Sequence, residues 1–161
     1  MTLREICINR TQLREQDIQQ LEALAGSMQM MADLTASDIF LVCMERTGRL
    51  ATVAAQIAPR HGRLSLYQNS IVGKTILRKN APAVYHSLES GLPMREMEAT
   101  TLDGKMVRQD VAAVISPDGH IIGALVRERD KSSGSFYEKK YREILNQNEG
   151  STSYFTKSLQ I

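Results

Sequence analysis

Tryptophan is absent from this chain, and aromatic residues of any kind are scarce, with three phenylalanines and five tyrosines among 161 residues. Few rings mean few platforms for stacking a large flat cofactor, so none is expected and any ligand should be a small polar molecule. Only two cysteines occur, Cys7 and Cys43. They make neither a disulfide framework nor a paired metal motif, and both read as plain thiols of a reducing compartment. The three histidines, His61, His86 and His120, share no short ligand spacing, so no metal is expected. An excess of one charge is also missing, since 20 Lys and Arg balance 18 Asp and Glu. That removes the electrostatic footprint of a nucleic-acid binder. No apolar stretch approaches a bilayer span, and Met1 to Arg10 lacks the apolar core of a signal peptide, so the expected location is the cytoplasm, away from membranes. No nucleophile, base and orienting group can be assembled from the spacing, which argues against an enzyme.

What is present is dominated by one hairpin, Arg108 to Arg129. The apolar run Val111 to Ile115 leads into Ser116-Pro117-Asp118-Gly119-His120, and a second run follows from Ile121 to Val126. Two such runs around Pro and Asp-Gly predict antiparallel strands joined by a tight turn. Without polar alternation, both faces should be covered, which places the pair at the centre of a sheet. Upstream, apolar residues at helical spacing (Ile18, Leu21, Leu24, Ala25, Met28, Met31, Ala32) predict one helix from Thr11 to Asp33 with Thr11 as N-cap, behind a polar leader. Ile39 to Met44 and the alternating Ala51 to Ile57 predict a hairpin closed by Arg46-Thr47-Gly48-Arg49.

The middle of the chain is less regular. A short helix through Ile71 to Leu77, capped by Asn69 or Ser70, should stop before Pro82, with a short strand at Ala83 to Tyr85. Met97 to Arg108 predicts a weak hairpin about Asp103-Gly104. This irregular section is expected to act as a lid over a cavity. Ser135 with Glu138 forms a capping-box signature, predicting a helix with Phe136, Tyr141, Ile144 and Leu145 inward, and an amphipathic pattern resumes after 148–153. The expected class is α+β, a central antiparallel sheet with N- and C-terminal helices packed on one face.

Three stretches carry a family resemblance: Ala32-Asp33-Leu34 through Ile39-Phe40-Leu41-Val42, Tyr67-Gln68-Asn69-Ser70-Ile71-Val72-Gly73, and Asp110 to Ile115 through Asp118 to Arg127. Together they resemble the GAF-like N-terminal sensor domain of bacterial signal-transduction histidine kinases that work with antiterminator response regulators, some of which govern ethanolamine use. The resemblance covers residues 10–147 and implies a sensor domain there, with 148–161 beginning a linker helix towards a downstream module. It implies a small-molecule ligand, a small amine among the candidates, together with a kinase core and a response regulator as partners. Nothing in the chain resembles the kinase core itself, so this fragment should not phosphorylate. The two outer helical segments predict a homodimer. A dimerisation module without a ligand is the alternative.

Candidate ligand residues come from the lid and its border. Tyr67, Asn69 and Tyr85 are the polar and aromatic residues of the lid, and Arg95, Glu96 and Asp110 border the presumed cavity, where a carboxylate could hold a small cation. Gly73-Lys74-Thr75 lacks the opening glycine of a phosphate loop, since Gln68 stands in its place. Cys43, among apolar strand neighbours, reads as a buried structural thiol.

Overall fold

The computed structural model describes residues 1–60, 65–131 and 144–145. Thr2 opens the chain as an N-cap: its hydroxyl accepts from the Glu5 amide while the Glu5 carboxylate accepts from the Thr2 amide, a capping box that starts helix α1, Leu3–Arg10. The expected polar leader is therefore a helix, and Ile6 and Cys7 on it are fully buried. Thr11 ends this helix instead of starting the next, with its hydroxyl donating to Cys7 O at 2.6 Å.

The single helix expected from Thr11 to Asp33 is two, α2 Glu15–Ala25 and α3 Met28–Thr35, broken at Gly26 and Ser27. Both still turn one apolar stripe inward, which is why the periodicity read as continuous. Asp17 accepts from the Arg14 amide at 2.9 Å, and the Arg14 guanidinium spans Asp17 and Asp118, tying the start of α2 to a distant turn.

Among the described residues six strands form one antiparallel sheet, β1 Asp38–Met44, β2 Ala51–Ile57, β3 Thr75–Ile76, β4 Met94–Thr100, β5 Met106–Ile115 and β6 Ile121–Asp130, in the order β3-β2-β1-β6-β5-β4. Gly119, at φ 88°, closes the β5–β6 turn, and a bulge lies between Val114 and Ile115. The helix expected over Ile71 to Leu77 is absent: Ile71 to Lys74 turns into the short β3, with Gly73 at φ 83°. The strand expected at Ala83 to Tyr85 lies instead in helix α4, Pro82–Ser90, because proline at the first helical position gives up only an amide with no partner.

Strand alternation sends apolar side chains to both faces and builds two cores. On one face Phe40, Val42, Val53, Val107, Val111 and Val126 meet Val84, Tyr85 and Leu88 of α4. On the other, Ile39, Leu41, Cys43 and Ile122 meet Ile6, Ile18, Leu21 and Met28 of α1 to α3. Each fully buried Leu or Ile contributes about 1.5–3 kcal/mol of transfer free energy. The expected α+β class with an antiparallel sheet holds, but helices cover both faces instead of one, α1 to α3 on one side and α4 on the other, because strands apolar on both faces need cover on both. The central hairpin is covered unevenly. Strand β6 is buried or half-buried throughout, whereas β5 leaves Arg108, Ala112 and Ile115 exposed.

These elements belong to one unit, Met1–Asp130, and Lys131–Ile161 forms a separate one. The helix expected from Ser135 and its continuation over 148–161 lie outside the described residues, apart from a helical Ile144 and Leu145. Among the described residues no helix is long and apolar enough to cross a membrane.

Candidate functional site

The last residues of β6 carry alternation past the apolar run. Ala124 and Val126 face α4, so Glu128 faces the same way and is driven into the interior, 2% exposed. Strand β5 brings Gln109 beside it, 3% exposed, whose Nε2 donates to Glu128 Oε2 at 2.7 Å. The Tyr67 hydroxyl donates to the other carboxylate oxygen from the segment above the sheet. Tyr67 itself is placed by edge-on contact with Phe40, ring centroids 6.5 Å apart. On the neighbouring strand, Asp38 pairs in register with Glu128 and is equally buried. It accepts from Ser65 Oγ at 2.7 Å and from the Leu66 amide at 2.9 Å. Two buried carboxylates therefore hold residues 65–67 onto the end of the sheet.

Burial dominates the electrostatics. It pushes the Glu128 carboxyl up to about 7, against the hydrogen bonds from Tyr67 and Gln109, with Asp38 and Asp103 adding repulsion. The same burial, followed by the charge of Glu128, raises the Tyr67 phenol. Gln109 Oε1 is buried without a hydrogen-bond partner among the described residues. Glu128, Gln109 and Tyr67 line a cavity of about 20 Å³ together with Ile71, Ile76, Asn80 and Thr101.

The sequence candidates separate. Tyr67 reaches this cavity. Tyr85 is fully buried in the adjacent core, where its hydroxyl accepts from the Ala51 amide at 3.0 Å and donates to Ile76 O, fastening β2 and β3 to α4. Asn69 is exposed outside the cavity. Arg95 and Asp110 line a different hollow of about 160 Å³, floored by Ile39 and Leu125 on the opposite face, where Asp110 pairs with Arg127 at 3.3 Å. Glu96 lies beside it at a bulge, φ 55°, its amide donating to Asp110 and its carboxylate receiving Arg108 and Arg129. A third hollow, about 460 Å³, has Arg14 already committed to Asp17 and Asp118. Glu128, Gln109 and Asp38 were missed by sequence reasoning, which followed the second strand only through its apolar run, Ile121 to Val126. The signal was the period of two continued from Ala124 and Val126.

The two cysteines converge in the second core. The Cys43 side chain beside it lowers the Cys7 thiol, while Cys7, together with burial, raises that of Cys43. Among the described residues no group of His, Cys, Asp and Glu is arranged to hold a metal ion by three such side chains.

The family model for the GAF domain of the histidine kinase PdtaS matches residues 3–147. The chain belongs to that GAF family. Solved structures agree on the fold of this GAF domain. It is similar to the sensor region of a sensor histidine kinase, with TM-score 0.64 at 20% identity over 89% of this chain and 49% of that one. It is also similar to an ICLR transcriptional regulator from Silicibacter sp. TM1040, with TM-score 0.54 at 12% identity over 79% of this chain and 62% of that one. The GAF domain thus spans about half the length of the first structure. Curated proteins yield no match to the sequence.

Proposed function

We propose that this GAF domain is the sensory input of a cytoplasmic two-component histidine kinase, taking a small molecule between the sheet and residues 65–81 and passing the signal through its terminal helices. The carrying observation is the buried Glu128, hydrogen-bonded both to the sheet residue Gln109 and to Tyr67 of the overlying segment. A ligand that competes for either bond shifts the population of two packings, with residues 65–67 seated or lifted. The domain itself is not catalytic. Its partners under this reading are a downstream kinase core, a response regulator and a second copy of the chain, with residues 10–147 as the sensor and 148–161 opening the linker helix.

A thermal-shift screen of small amines, amino acids and nucleotides tests the reading. A saturating ligand at a hundredfold excess over its Kd stabilises the folded state by about 2.7 kcal/mol, a clear rise in melting temperature. Silence across the screen, with calorimetry flat at millimolar ligand, transfers the assignment to a ligand-free dimerisation module.

A further inference from the structure

We infer that the cavity between Tyr67, Gln109 and Glu128 is a site for one bare monovalent cation the size of a water molecule, potassium or ammonium, held on oxygen. This rests on the reading of that cavity as the place where a ligand enters, and it names the chemistry of the group recognised there.

Size is the first ground. A single water needs about 10–15 Å³, so a cavity of about 20 Å³ has room for one such particle while residues 65–81 stay seated. The donor set is the second. The residues lining the cavity carry the carboxylate oxygens of Glu128, the Tyr67 oxygen and Gln109 Oε1, the last buried with no hydrogen-bond partner among the described residues. An unpartnered acceptor inside a protein calls for a donor or a cation.

Charge is the third. Glu128 stands opposite Asp38 in the β1–β6 register, both buried, and among the described residues no Lys or Arg forms an ion pair with either. The nearby Lys105 is committed at the rim, its Nζ 3.3 Å from Leu66 O and 3.7 Å from Asp103. One positive charge in the cavity offsets this field. A divalent ion is a poor fit, because Glu128 is the one carboxylate among the residues lining the cavity, and its single negative charge matches a single positive one.

The test is thermal unfolding of the chain at pH 8 in potassium, ammonium, sodium and choline chloride at equal ionic strength. Potassium or ammonium should raise the melting temperature by several degrees over choline, saturably, and the gain should vanish in Glu128→Gln and Gln109→Leu. The two arms tell the ions apart by which saturates at lower concentration. Equal melting in all four salts overturns the proposal, leaving a buried water as occupant. The sensory reading survives that result wherever the organic screen gives a ligand. Should either variant fail to fold, ammonium labelled with nitrogen-15 decides on the wild type: a slowly exchanging bound signal displaced by potassium supports the site, and a bulk signal alone overturns it.

Discussion

Glu128 is one carboxylate whose environment, not its type, sets its behaviour. Its folded value of about 7 lies above its ordinary 4.5, so the folded state holds the proton more tightly than the unfolded chain does. Stability from this group is therefore fully present below about pH 4.5 and declines as pH rises towards 7. The span corresponds to about 3 kcal/mol at most, in a field set by Tyr67, Gln109, Asp38 and Asp103. Urea titrations between pH 5 and 8 in choline chloride should show this decline in wild type and a flatter profile in Glu128→Gln. Parallel profiles would mean that Glu128 titrates normally and is not shielded from water. The sequence named Tyr67 but not its partners, because hydrogen bonds between residues 61 positions apart leave no local trace.

At the scale of elements, the contact between α2 and β6 depends on Gly123. A Cβ at that position would sit 3.2 Å from Val42 O and 3.5 Å from Leu21 Cδ2, so the missing side chain lets the helix lie close on the sheet. Gly123→Val overpacks this seam and should cost about 1–3 kcal/mol, seen as a lower urea midpoint with an unchanged slope. An unaltered midpoint would show that α2 is not seated there. The helix-to-strand reassignment at 82–90 belongs to the same scale. Proline followed by Ala-Val-Tyr reads as an interrupted strand, and only the sheet face waiting to be covered by Val84, Tyr85 and Leu88 turns it into a helix. The breaks at Thr11 and at Gly26-Ser27 were equally invisible to a periodicity that continues across them.

At the scale of the whole molecule, the helical layer leaves apolar surface uncovered: Met30 is 75% and Leu34 85% exposed on α3, and Ile8 is 52% exposed on α1. Exposed side chains of that size fit an isologous contact between two copies. Light scattering should report a dimer at high protein concentration, and the double substitution Met30→Lys with Leu34→Lys should return it to monomer at an unchanged melting temperature. A wild-type monomer would remove the dimer from the proposed mechanism. The alternation of side chains along β1, β2 and β6 and the Asp118-Gly119 turn follow from local sterics and hydrophobic periodicity, so the sequence by itself determined the antiparallel hairpins, their turns and the α+β class. Strand order is not a local property. Only the tertiary structure decided that β6 lies between β1 and β5, and with it that Asp38, Gln109 and Glu128 meet under Tyr67 and that Cys7 meets Cys43. The reason is physical: such meetings arise from burying two apolar sheet faces at once, a constraint on the whole chain that no window of sequence contains.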